Sequence, residues 1–389
     1  MSTHFTERAT KATYSSDALA GVKALQGWYS PSTGLWETTG WWNSANCLTI
    51  LADWALLDRS DSNTLSIASI ISNTFTNAQS TSATAQKTIS TTGRITSTYS
   101  FQASSKRDEL GIRGFSGFIN NFYDDEGWWA LGLVRSWDLT HDPGYLDMAK
   151  RIFDDMQNGT DSTCGGGIWW SKDRKYKNAI ANELYLTVAA SLANRVPSGD
   201  KSRYLKIAMD EWAWFKKSGM INADNLINDG LTINADGSCV NNKMQTWSYN
   251  QGVILGGLVE LSTATGDPSY LSQAVSIAKA AITALADENG IIHEIDNCDR
   301  GKEPDCGDDG SQFKGIFVRN LHYLFGAVPQ DVFRATILDN ADSIWAKNRN
   351  SKNQLGLVWT GPPEAGNGPT AGTHSSALDV LVAALAVAS

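Results

Sequence analysis

The chain repeats itself, and the repeat restricts its fold more than any other feature. Asp142-Pro143-Gly144-Tyr145-Leu146-Asp147-Met148-Ala149 returns as Ser202-Arg203-Tyr204-Leu205-Lys206-Ile207-Ala208. It returns again as Gly266-Asp267-Pro268-Ser269-Tyr270-Leu271-Ser272-Gln273-Ala274. The tyrosines lie 59 and 66 residues apart, 145 to 204 and 204 to 270. Such a period marks stacked supersecondary units. Each copy opens an amphipathic run such as Tyr145, Ala149, Ile152, Phe153 and Met156, with apolar residues at helical spacing. Each run meets a Gly-rich or polar loop, and a second helical stretch follows at 182–193, 249–262, 313–326 and 374–388. The N-terminal part fits the same scheme twice, with helices over 17–28 and 42–57, then 65–75 and 125–139. Strand signals are sparse; the Thr-rich stretch 89–101 is a candidate hairpin inside a loop.

Six helix–loop–helix units of roughly 65 residues predict an all-α, single-domain fold over residues 1–389. Hairpins that must bury both helix faces can close into a ring, an (α/α)6 toroid, which leaves no terminal repeat needing a cap. The second helix of each unit should lie inside, because 181–193 and 253–261 are nearly apolar all round. The first helices carry charge, as at Lys150, Arg151, Asp154 and Asp155, and should lie outside. The long loops then gather where the inner helices start, and a cleft is expected there.

Composition narrows the class of function. A net charge of −9 without a basic cluster argues against nucleic acid and anionic membrane surfaces. No apolar run is long enough to span a bilayer, and 377–388, which contains Asp379, reads as a buried last helix. The 15 tryptophans supply flat apolar faces of the kind that suit sugar rings. Cys298 and Cys306 bracket a short polar loop and are expected to be bridged; Cys164 with Cys239 is a second expected pair, leaving Cys47 a buried thiol. Disulfides imply an oxidising compartment, and the acceptor Asn158-Gly159-Thr160 agrees. The expectation is a secreted, extracellular monomer whose signal peptide is absent from this sequence, with Met1 to Glu7 in its place.

The richest constellation is Asn120-Asn121-Phe122-Tyr123-Asp124-Asp125-Glu126-Gly127-Trp128-Trp129 at the start of the second inner helix. An Asp pair at a helix start can simply cap it and offset the helix dipole. Here the pair sits between aromatics at the expected cleft. Glycoside hydrolysis needs one protonated and one ionised carboxyl, about 5–5.5 Å apart when anomeric configuration is retained. Neighbours in a regular helix diverge by roughly 100°, so an irregular loop-to-helix junction is expected to turn both towards one cleft. Other chemistries fit less well. Five scattered His show no metal spacing, and Gly165-Gly166-Gly167 lacks the Lys-Ser/Thr of a phosphate loop, so neither metal nor cofactor is expected. The double Asp has no diphosphate-binding basic pocket beside it, as an all-α terpene synthase would. Asp305, Asp308 and Asp309 read as a solvated acidic turn, and Asp379 is unexplained.

The sequence resembles glycoside hydrolase family 76, the α-1,6-mannanases and their fungal cell-wall relatives. Tyr123-Asp124-Asp125-Glu126-Gly127-Trp128-Trp129 carries the resemblance. Asn178-Ala179-Ile180-Ala181-Asn182-Glu183-Leu184, Trp247-Ser248-Tyr249-Asn250-Gln251-Gly252 and Phe313-Lys314-Gly315-Ile316-Phe317-Val318-Arg319-Asn320-Leu321 support it in order. The resemblance implies an (α/α)6 fold and retaining endo-hydrolysis of α-1,6-mannan, with Asp124 as nucleophile and Asp125 as acid/base. Trp42, Asn46, Tyr123, Trp128, Trp129, Asn182, Asn250, Phe313 and Lys314 fall near inner-helix starts and are expected to bind mannan or mannooligosaccharide. Trp169-Trp170 fits a sugar platform or loop packing equally. Two alternatives stay open: a transglycosylase acting on cell-wall mannan or GPI glycan, and a non-catalytic mannan-binding scaffold.

Overall fold

A computed structural model describes residues 9–79, 81–90, 94–103, 117–300, 306–366 and 368–389. Met1 to Glu7 and Asp305 lie outside them. Twelve long helices among the described residues alternate between an outer and an inner layer. The outer six are α1 (Lys11–Leu25), α3 (Ile67–Ala78), α5 (Pro143–Gln157), α7 (Ser198–Ser218), α9 (Ser269–Leu285) and α11 (Asp331–Lys347). The inner six are α2 (Trp41–Leu57), α4 (Tyr123–Thr140), α6 (Ala179–Ala193), α8 (Ser248–Thr265), α10 (Phe313–Ala327) and α12 (Ala371–Val387). Each inner helix packs on the next, and α12 returns to α2. The ring is therefore closed, as the repeat predicts, and the architecture is the (α/α)6 toroid.

The two layers differ because their sequences do. Every residue of α6 is buried, so it must be surrounded by protein. By contrast α5 buries Tyr145, Ala149, Ile152, Phe153 and Met156 along one stripe and leaves Asp147 and Arg151 in water. Asp142 caps α5 by accepting from the Gly144 amide, and Pro143 occupies its first turn. Glycine sets how closely the inner helices approach. A Cβ on Gly315 of α10 would lie 2.4 Å from the Ser376 carbonyl oxygen of α12, so the backbones touch there.

The segment between α3 and α4 departs from this scheme. It forms an antiparallel hairpin, β1 (Thr81–Ile89) with β2 (Ile95–Ala103), paired from Thr81↔Ala103 to Ile89↔Ile95. The sequence places a hairpin here, but from residue 89 onward; pairing begins eight residues earlier, at Thr81. Ala83, Ala85 and Lys87 face inward while Thr84, Gln86 and Thr88 are exposed, the period-2 pattern of a strand with one buried face. Cys164–Cys239 and Cys298–Cys306 are bridged and Cys47 is a buried thiol, as expected from the sequence. No described helix is long and apolar enough to cross a membrane.

Candidate active site

The inner helices start at one end of the ring, and the carboxylate pair stands there. Phe122 is the N-cap of α4 and offers no side-chain cap; Asp124 and Asp125 follow in the first turn, 5% and 0% exposed. Neither carboxylate caps its own helix. Lys87 reaches in from β1, its Nζ 2.9 Å from Asp124 Oδ2 and 2.6 Å from Asp125 Oδ1. Those two distances place the two oxygens at most 5.5 Å apart. An irregular junction is not what brings them together, contrary to the sequence expectation: both residues sit in regular helix, and one cation between them accommodates their divergence.

Each remaining carboxylate oxygen has a distinct setting. Trp170 Nε1 donates to Asp124 Oδ2 at 3.0 Å, whereas Asp124 Oδ1 is buried without a partner among the described residues. Asp125 Oδ2 accepts from Asn120 Nδ2 at 2.6 Å and from the Tyr99 hydroxyl at 3.4 Å. Burial pushes the Asp125 carboxyl up to about 7; Lys87 opposes the rise and the Asp124 charge adds to it. Burial works against the Lys87 ammonium, but Asp124 and Asp125 hold its pKa above the ordinary lysine value. Two more acids adjoin the pair. Asp229 accepts from the Tyr176 hydroxyl at 2.5 Å and is raised to about 6 by burial, with the Asp124 charge adding to the rise. Asp309 accepts from Trp42 Nε1 at 2.8 Å and from Ser97 Oγ at 2.5 Å, and burial raises its pKa too. Asp309 is thus buried, not part of a solvated turn; Asp308 beside it is exposed.

The expected binding residues divide into two groups. Trp42 joins the pair through Asp309, and its ring stacks on Trp128 at 5.3 Å and on Phe313 at 6.5 Å. Phe313 in turn stacks on Tyr249 at 3.8 Å, so an aromatic band links inner helices α4, α2, α10 and α8. The Asn250 amide is buried with neither polar atom partnered among the described residues, which leaves it available to a ligand. The others turn their polar atoms or rings into the fold. Asn182 Nδ2 donates to the Ile168 and Asn178 carbonyls and its Oδ1 accepts from the Ile168 amide, pinning the loop before α6. Lys314 pairs with Asp299 at 2.5 Å and lies over the Trp359 ring. Asn46 Oδ1 accepts from Arg319, Trp129 packs between Trp41 and Phe118, and Tyr123 lies against Gly159.

Lys87, Asn120, Tyr99, Trp170, Asp229 and Asp309 complete the site; of these the sequence reading offers a role only to Trp170, as sugar platform or loop packing. Lys87 had a signal: it continues the inward Ala83, Ala85 face of a strand, where a lysine needs a buried counter-charge. Asp229 and Asp309 had none, because long loops carry them across the top of the ring.

Comparison with known proteins follows the same line. The family model for glycosyl hydrolase family 76 matches residues 28–389. A putative mannan endo-1,6-alpha-mannosidase of Schizosaccharomyces pombe, C1198.07c, is 28% identical over 222 residues, 54% of this chain and 48% of that protein. The chain spans about half the length of the curated relatives it matches. Among solved structures, an inactive variant of the GH76A alpha-1,6-mannanase of Salegentibacter sp. HEL1_6 bound to alpha-1,6-mannotriose superposes with a TM-score of 0.75. The two are 20% identical, and the match covers 96% of this chain and 99% of that one. Dfg5 from Chaetomium thermophilum in complex with glucosamine gives 0.76 at 17% identity, covering 98% and 92%. At these identities the superpositions carry the fold, while the family match rests on the sequence over most of its length. The chain belongs to glycosyl hydrolase family 76.

Proposed function

We propose that the protein is a secreted, monomeric, single-domain enzyme that cuts α-1,6-mannan internally with retention of configuration. The observation that carries this reading is the spacing of the pair. The two oxygens that Lys87 bridges lie at most 5.5 Å apart, which supports the short spacing of a double-displacement site over the roughly 6.5–9.5 Å of an inverting one. Asp124 is the nucleophile: Trp170 orients it through Oδ2, and Oδ1 is left for the anomeric carbon. Asp125 is the acid/base. Asn120 bonds its Oδ2 and Lys87 its Oδ1, so Oδ1 can carry the proton only when the ammonium moves off it, and a carboxyl raised to about 7 can then donate near neutral pH. The resulting glycosyl–Asp124 ester is hydrolysed when Asp125 takes a proton from water. Trp42, Trp128 and Phe313 supply apolar surface, and Asn250 supplies an amide for sugar hydroxyls. The two disulfides support an oxidising, extracellular setting.

A transglycosylase is the second reading. It uses the same ester but hands the sugar to another glycan, and the complete burial of Asp125 favours it by restricting the approach of water. A mannan-binding scaffold has no use for a buried acid pair. The test is turnover of unbranched α-1,6-mannan with and without added acceptor oligosaccharide. Shorter products in both conditions support hydrolysis, longer products with acceptor support transfer, and no turnover in either overturns the enzymatic readings.

A further inference from the structure

In the structure the space between the two carboxylates is already filled. Displacement at Asp124 requires the anomeric carbon to come within about 3–3.5 Å of its oxygen, with the glycosidic oxygen in hydrogen-bond reach of Asp125. Lys87 Nζ donates to Asp125 Oδ1, the oxygen that must face the glycosidic oxygen, at 2.6 Å and to Asp124 Oδ2 at 2.9 Å, so the ammonium and the leaving oxygen compete for one carboxylate oxygen. The ammonium also lies 4.7 Å from the Phe122 ring centroid and 5.5 Å from that of Trp170, where it covers aromatic surface next to the pair. Asp125 accepts from Lys87 on one oxygen and from Asn120 on the other, an arrangement for a carboxylate and not for a proton donor.

The hairpin is attached by both apolar and polar contacts. Ala83 and Ala85 face inward near the pair, and Ile89, Ile95 and Tyr99 pack partly buried against the core. The Asn121 side chain bonds the Ala85 amide and carbonyl, Ser97 donates to Asp309, and Arg94 pairs with Asp296 at 2.9 Å near the surface. Water can replace each of these. Separating a buried ion pair is costly while its partners stay buried, so Lys87 holds the hairpin in place until a ligand fills its position and the ammonium reaches water.

We propose that the β1–β2 hairpin is a latch on the cleft, with Lys87 standing in the reactive subsite until an α-1,6-mannan chain displaces it. The proposal rests on the hydrolase reading for the identity of the displacing ligand. Two measurements test it. Pulsed hydrogen exchange on the wild-type protein should show faster exchange across 81–90 and 94–103 when α-1,6-mannotetraose is added. Lys87→Met keeps the stem length and removes the charge; it should bind mannotetraose about tenfold or more tightly, since a closed population no longer has to be opened. Unchanged or slower hairpin exchange with ligand, or no tighter binding by Lys87→Met, overturns the latch. If Lys87→Met does not fold, the wild-type exchange decides alone. The two readings fail separately: turnover with an undisturbed hairpin sinks the latch and keeps the hydrolase. A hairpin loosened by ligand without any bond cleavage keeps the latch and sinks hydrolysis.

Discussion

Asp124 and Asp125 are adjacent in sequence and share Lys87, yet their other partners differ, Trp170 for one and Asn120 with Tyr99 for the other, and the proposed roles follow that difference. On the proposed roles, Asp125→Asn removes the proton donor and should lower kcat/KM on mannan by about 10²–10⁴-fold. With an activated aryl mannoside, whose leaving group needs no proton, most of the glycosylation step should survive. Asp124→Asn should lose both substrates, because the nucleophile is needed whatever the leaving group. Burst kinetics on the aryl substrate distinguish the variants; a burst from Asp124→Asn and none from Asp125→Asn would exchange the assignments. The motif around the pair made these two residues legible in the sequence. The bonds that Trp170, Asn120 and Lys87 make to the pair were not, since a hydrogen bond to a carboxylate leaves no periodicity behind.

At the scale of elements, hydrophobic pattern located the helices, and close contact positions them. Inner helices α6, α8, α10 and α12 begin one to three residues earlier than apolar spacing suggests at three of four starts, and caps extend the two that begin three residues early, α6 and α12. Asn178 accepts from the Ala181 amide before α6, and Thr370 forms a capping box with Thr373 before α12. Gly315 is the sharpest case of contact setting position. A methyl group there meets backbone at 2.4 Å, so α10 and α12 must separate, and Gly315→Ala should destabilise by about 1–3 kcal/mol. Denaturant unfolding of the variant tests this; an unchanged midpoint would mean that the ring adjusts freely at this seam. The hairpin was legible as a pair of strands, but nothing local said that it folds onto the carboxylates.

For the whole molecule, long-range links tie the ring together. Asp379, unexplained by sequence, lies on α12 and forms a two-pronged pair with Arg319 of α10, both contacts 2.9 Å and buried. Cys164–Cys239 spans 75 residues and joins the loops before α6 and α8, whereas Cys298–Cys306 spans 8. Loop-closure entropy assigns about 4.5 kcal/mol to the first and about 2.5 kcal/mol to the second. Replacing each pair by serines should therefore lower the unfolding midpoint more for Cys164–Cys239; the reverse order would show that local strain outweighs loop length. Buried acids give stability a pH dependence. Burial holds Glu211 at about 8 when folded, against an ordinary value of 4.5, with Lys177 opposing the rise. The folded state therefore binds this proton more tightly. Its contribution is complete below about pH 4.5 and is lost as pH rises through 8. Glu211→Gln should gain stability relative to wild type between pH 5 and pH 8 in urea titrations, and a constant difference across that range would refute the assignment.

The sequence by itself determined the helical repeat, the closure into six units, the disulfide partners and the acid pair. Each of these is written locally, as apolar period, as cysteines flanking polar loops, or as a contiguous motif. Tertiary structure alone decided what surrounds the pair. Lys87 lies 37 residues before Asp124, Trp170 lies 46 after it, and Trp42 meets Asp309 across 267 residues of chain. Those contacts exist because six inner helices start at one end of a closed ring and their loops converge there. Convergence of this kind follows from ring closure and loop path, and neither leaves a mark on the residues that it brings together.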